Sequence, residues 1–159
     1  MNTTIRQAVL AAALLSVSLI ASAAATVTYV NPDKMTDVPR DRADRESMEA
    51  DFLEHFNTLA ARLPAGQDLK IDIIDIDLAG DVFPRVALRN VRVLRGRGDA
   101  PRIHLRYRIE QNGNLVSSGE RELTDMSYMM HYSTMNRDMY SYEFQLLDDW
   151  FRKDIVATR

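Results

Sequence analysis

The chain has 159 residues, a net charge of −3 and no cysteine. That size fits one ordinary domain, and the missing cysteines exclude disulfides, thiolate nucleophiles and zinc fingers. The mild acidity argues against a general nucleic-acid binder.

The first 25 residues read as a secretory signal. Arg6 is the single cation ahead of an uncharged run from Ala8 to Ile20, and the small residues ASAAA follow. That layout suits export and cleavage after Ala23 or Ala25. The apolar run falls short of the roughly 20 residues needed to span a bilayer. Residues 26–159 are then expected to form a single globular domain, with no transmembrane segment in the mature chain.

TVTYV at 26–30 alternates β-branched and aromatic residues, as a short strand does. NPDKMTDVPRD is a loop. A helix is expected from Arg42 to Leu63, with Asp41 or Asp44 capping it. Its Met48, Phe52, Phe56, Leu59 and Leu63 recur at spacings of three and four, and PAG stops it.

Leu69 to Ala79 is a second strand, containing IDIIDIDLAG. Side chains alternate along a strand, so Asp75 and Asp77 share a face, roughly 7 Å apart, with Ile74, Ile76 and Leu78 opposite. Ile71 and Ile73 are out of phase with that set. A bulge near Ile73–Ile74 is therefore expected, bringing both isoleucine sets to the core and Asp72 to the outer face. A further strand is expected over 88–94. RGRGD at 95–99 is a loop.

Arg102 to Gln111 is a clear strand, with Ile103, Leu105, Tyr107 and Ile109 alternating with Arg102, His104, Arg106 and Arg108. NGN at 112–114 signals a hairpin. Leu115 to Leu123 returns from it, with Gly119 a candidate bulge. From Tyr140 a closing helix carries Phe144, Leu147, Phe151 and Ile155 on one stripe, with Trp150 beside it. The fold class is α+β: a two-layer sandwich of a four- or five-stranded, mostly antiparallel sheet with helices packed on one face.

Several constellations carry possible chemistry. Arg102, His104, Arg106 and Arg108 form a cationic row, and Glu120 and Glu122 an anionic row on the hairpin partner. Such rows favour cross-strand pairing. The aspartates of the second strand are expected to wet the outer face and pair with arginines. The competing use of the cationic row is to bind an anion or a partner, because the guanidinium fork matches carboxylate and phosphate. Asp75, Asp77 and Asp81 offer a weaker case for Mg²⁺ or Ca²⁺.

Residues 126–139 hold five of the eight methionines and His131. Met126, Met130, His131 and Met135 are an alternative soft site for Cu(I), against a plain role in core packing or partner contact. Nothing catalytic stands out. Ser117 and Ser118 lack a nucleophile-elbow motif, and Asp148 and Asp149 diverge by about 100° on a helix. One of that pair is expected to tether a neighbouring arginine. No catalytic residue and no cofactor are assigned, and binding is favoured over catalysis.

VTYVNPDKMTDV, IDIDLAGD, VRVLRGRGDAPRIHLRYRI, SGERELTDMSYMM and LLDDWFRKD, in that order, resemble the proteobacterial secreted family labelled domain of unknown function 3016. The resemblance covers about residues 27–154. It implies a single exported domain in a Gram-negative periplasm and carries over no ligand or catalytic residue. The functional expectation is a non-catalytic envelope module that meets a partner protein or an anionic envelope component through its exposed sheet face. The alternative is periplasmic copper handling.

Overall fold

The computed structural model describes residues 23–82, 92–96, 98–130 and 139–157. Residues 1–22 of the segment expected to be a signal lie outside these, as do His131 and Met135, whereas Ala23–Ala25, expected to be removed with it, are described, and Ala23 and Ala25 pack against the core. Among the described residues six strands and two α-helices follow in chain order: β1 (Ala25–Tyr29), α1 (Arg42–Ala60), β2 (Gln67–Asp77), β3 (Asp81–Val82), β4 (Arg92–Val93), β5 (Arg102–Gln111), β6 (Asn114–Thr124) and α2 (Ser141–Trp150). A π-helical turn, Phe151–Val156, prolongs α2.

The main sheet has four strands in the order β1-β2-β5-β6. Its β1–β2 pair is parallel, and the other two pairs are antiparallel. The parallel pair follows from the connection: α1 intervenes between β1 and β2, and a helical crossover returns the chain in the same direction. β3 and β4 form a separate two-stranded ribbon. Of the strand expected over 88–94, only Arg92 and Val93 are described as strand.

The helical stripe lies where spacing places it. Met48, Phe52, Phe56 and Leu59 of α1 are buried, as are Leu147, Trp150, Phe151 and Ile155 around α2 and its extension. Both sets pack with Leu69, Ile71, Ile73, Ile76, Ile103, Leu105, Tyr107 and Ile109 from the sheet in one core. Asp41 is the cap of α1: its carboxylate accepts from the N–H groups of Ala43 and Asp44, at 3.0 and 3.2 Å.

The bulge in β2 lies between Ile73, opposite Leu105, and Asp75, opposite His104. Ile71, Ile73, Ile76 and Leu78 are buried, whereas Ile74 is only partly so. This corrects the expectation that Ile74 joins the core. Ile74 is the extra residue, without a cross-strand partner, and the pleat resumes beyond it with Asp75 and Asp77 outward.

At the β5–β6 turn Asn112 and Gly113 both have positive φ, 52° and 79°, the backbone of a type I′ hairpin. Gly119 is not the bulge of β6. The register shift falls near the turn, beside Ile109 and Glu110. Gly119 instead sits under the Tyr107 ring, where a Cβ would stand 2.9 Å from Cε1.

Candidate functional site

The outer face of the sheet is built by strand alternation. Asp72, Asp75 and Asp77 of β2 stand opposite Arg106, His104 and Arg102 of β5, and Arg106 and His104 stand opposite Glu120 and Glu122 of β6. The acid, base, acid order expected from the sequence is present. His104 Nε2 lies 2.8 Å from Glu120, and Arg106 donates to the other oxygen of that carboxylate at 3.1 Å. The hydrogen bonds from His104 and then Arg106 hold the Glu120 carboxyl below its ordinary range. Asp72 lies 4.0 Å from Arg106 and 3.9 Å from Arg108, and Lys70 pairs with Glu110 at 2.7 Å. Exposed pairs of this kind stabilise by about 0–1 kcal/mol each, so they set register more than stability. Arg102 has no ion-pair partner within 4 Å among the described residues.

The aspartates do not converge on an ion. Asp75 accepts from the Thr36 amide at 2.7 Å and the Thr36 hydroxyl at 2.8 Å. Asp81 pairs with Arg95 at 3.1 Å. Among the described residues no group of three or more His, Asp or Glu is placed to hold a metal. The carboxylates of LDDWF diverge as helix geometry requires, and both find cations: Asp148 lies 3.5 Å from Arg62, and Asp149 binds Arg152 and Lys153. Met126 and Met130 are 66% and 85% exposed, which corrects the idea that they fill the core. The four-residue steps joining them to His131 and Met135 cannot be followed, since those two lie outside the described residues.

A second constellation has no counterpart in the sequence reading. The turn Leu78-Ala79-Gly80 is wrapped by three side chains from distant segments. Arg92 of β4 donates to the carbonyls of Leu78 (3.0 Å), Ala79 (2.9 Å) and Gly80, and to the Asp37 carboxylate at 2.8 Å. Asp37 also accepts from the Leu78 amide at 2.9 Å, and Glu143 of α2 accepts from the Ala79 amide at 2.7 Å. Gly80 has φ +75°, and a Cβ there would meet the Val93 carbonyl oxygen at 2.7 Å. Burial pushes the Glu143 carboxyl up, opposed by the Ala79 amide and Arg92. Glu143 precedes Leu147 by four positions and Phe151 by eight, so it stands on the apolar stripe. A carboxylate on such a stripe was the one available signal.

This turn borders a cavity of about 520 Å³ between α1, β4 and the start of α2. A smaller cavity of about 290 Å³ adjoins it, sharing Asp51, Met139 and Tyr140. Beside the smaller one His55 stacks on Phe144, with ring centroids 4.3 Å apart, and lies 3.8 Å from Asp148. Burial lowers its pKa, against the pull of Asp148.

Among the described residues, fold and surface define a two-layer α+β domain with one face of its sheet uncovered and two adjoining cavities beside α1 and the start of α2. The family model described as "Protein of unknown function (DUF3016)" matches residues 23–153, and the chain belongs to that family. No curated protein and no solved structure matches the chain.

Proposed function

We propose that the chain is an exported envelope protein that acts by binding, not by covalent catalysis, through the uncovered face of its sheet. One observation carries the reading. Both helices pack on a single face, leaving the long strands β5 and β6 to present an ordered charge ladder to solvent. The ladder fixes its side chains in place, which lowers the entropy lost on docking. Arg102 and Arg108 keep donor capacity at the two ends of the row, since the closest carboxylate to Arg108 lies at 3.9 Å. Carboxylates or phosphates on a periplasmic partner protein or an anionic envelope component match those forks. No helix among the described residues is long and apolar enough to cross a membrane.

Affinity purification of the full chain from native envelopes tests this. The wild type should capture a stoichiometric partner or anionic vesicles, and Arg102→Glu/Arg108→Glu, still folded by circular dichroism, should lose most of that capture. Equal capture by both proteins would show that the face is not used. In the same preparation, intact mass should place the mature N-terminus at Ala24. Cleavage after Ala23 preserves β1, whose Ala25 amide donates to Asn57 and whose neighbouring Ala24 carbonyl accepts from Leu69. Full-length protein recovered from membranes would count against export.

A second reading is favoured by exposed sulfur. Met126, Met129, Met130 and Met139 are all solvent-exposed, and thioethers open to solvent are available to Cu(I). Under this reading the wild type retains Cu(I) against a moderate chelator, and replacing Met126, Met130 and Met135 by leucine abolishes retention without altering the melt. Copper stripped equally from both would end it.

A further inference from the structure

The main sheet ends on one side in β6, whose far edge has no strand partner among the described residues. Such an edge presents a row of unpaired N–H and C=O groups, and proteins blunt it with brevity, proline, a bulge, a cover or charge. β1, at the opposite edge, is blunted by the first two. It is five residues long and leads into Asn31, at φ 59°, and then Pro32. β6 is eleven residues long and contains no proline. Its register with β5 runs unbroken from Ser117 to Thr124, and its bulge lies beyond that run, beside the turn. Those eight paired residues extend the free edge over about 27 Å. Arg121 does not stand across it. Its guanidinium reaches Asp154 at 2.6 Å, the Glu120 carbonyl at 2.9 Å and the Tyr107 ring.

Charge is the remaining device, and it decides which strands can pair. On the outer face of β6 stand Ser118, Glu120, Glu122 and Thr124, opposite Arg108, Arg106, His104 and Arg102. Both oxygens of Glu120 are turned back to β5, one to His104 and one to Arg106. Glu122 is exposed and has no cationic side chain within 4 Å among the described residues. The rows read acid, base, acid across β2, β5 and β6, and directly opposed like charges destabilise a strand pair. A second copy, paired antiparallel over most of that run with the helices on one side, would set Glu120 against Glu120 or Glu122. A strand whose outward side chains are basic continues the alternation instead.

We infer that β6 takes up an extended segment of a partner protein by strand addition, the segment carrying Lys or Arg at alternate positions. Backbone hydrogen bonds along 117–124 attach it, and Glu122 with Glu120 selects its charge. Leu115 and Val116, 61% and 49% exposed at the turn end of the strand, offer the same segment apolar surface to cover. The edge is separate from the arginine forks of the sheet face, and the inference stands whether or not those bind an anion.

An amide-resolved NMR titration of the full chain with an acetylated heptapeptide of alternating lysine and valine tests this. Saturable shifts should map to 117–124, at one peptide per chain. Glu122→Lys should weaken binding by about tenfold, since it replaces an attraction with a repulsion. Glu46→Lys makes the same change of charge on α1, in the other layer, and should leave binding within about twofold of the wild type. Both variants alter exposed side chains and should melt close to the wild type. Replacing the lysines of the probe by glutamate should abolish binding. Methylating the backbone nitrogens of either the lysines or the valines blocks one edge of the probe. One of those two peptides should therefore lose binding and the other keep it, which plain charge attraction would not produce. The inference is overturned if the shifts do not saturate, if they map to another surface, if the glutamate probe binds as well, or if the two methylated probes behave alike.

Discussion

Replacing Arg92 by methionine is expected to remove about 3 kcal/mol of stability, the lower end of the range for breaking a largely buried ion pair by deleting one partner. The methionine retains most of the aliphatic stem and therefore most of its packing. Its loss strands the Asp37 carboxylate and frees the carbonyls of Leu78, Ala79 and Gly80 from their shared donor. Unpaired polar groups account for most of the effect, because each had given up water to reach the guanidinium. Arg92→Lys should fall between the two, since one ammonium cannot match the fork that serves four acceptors. Adding Asp37→Leu to Arg92→Met should recover part of the loss, a coupling that a double-mutant cycle reads directly. Urea melts of the five proteins, namely wild type, Arg92→Met, Arg92→Lys, Asp37→Leu and the double variant, decide the matter. A loss below about 1 kcal/mol, the range of exposed pairs, would show that the cluster does not hold the turn.

The second large effect separates the two faces of β2. Ile76 is fully buried in the core with Phe56, Leu147 and Phe151. Ile76→Ala should cost about 2–5 kcal/mol, through lost burial and the cavity left behind. Its neighbour Asp77 points to the other face. Burial, then the nearby Asp37, pushes the Asp77 carboxyl up, with Arg102 opposing. A carboxyl raised on folding favours the folded state while protonated, and that contribution is lost as pH rises through the folded pKa. At neutral pH, therefore, Asp77→Asn removes a mildly disfavoured charge and should change stability by less than about 1 kcal/mol. The gap between wild type and Asp77→Asn should shift as pH falls through the carboxylate range, whereas the loss from Ile76→Ala should not. If Asp77→Asn destabilised as much as Ile76→Ala, and Mg²⁺ or Ca²⁺ stabilised the wild type alone, the outer face would be an ion site.

The elements that were legible in the sequence are those set by local repetition. Period two in Arg102 to Ile109 and spacings of three and four in Met48 to Leu59 each place one side of an element against the core, whatever the rest of the chain does. The β2 bulge was legible for the same reason, because two isoleucine sets out of phase need an extra residue between them. Which residue is extra was not legible, since the choice between Ile73 and Ile74 depends on the register with β5. The Asp37–Arg92–Glu143 cluster was hidden more deeply. Its members come from a loop, a two-residue strand and a helix, and they meet only once the sheet and both helices have packed. Arg92 also sits among seven other arginines between Arg85 and Arg108, where nothing local marks it. The parallel pairing of β1 was missed because a short strand carries no record of its partner's direction.

That pairing bears on the order in which the chain can fold. The β5–β6 hairpin closes over Asn112 and Gly113 and needs no distant segment. β2 must find β5 across the whole 78–101 stretch, and β1 must find β2 across α1, with Ala25 opposite Leu69. Contacts that close long loops form slowly, because chain entropy is lost before they return any stabilisation. The hairpin is therefore the natural seed, β2 joins it next, and β1 is the last to be zipped in. A chain released N-terminus first would therefore present β1, α1 and β2 before the hairpin on which the antiparallel part of the sheet is built.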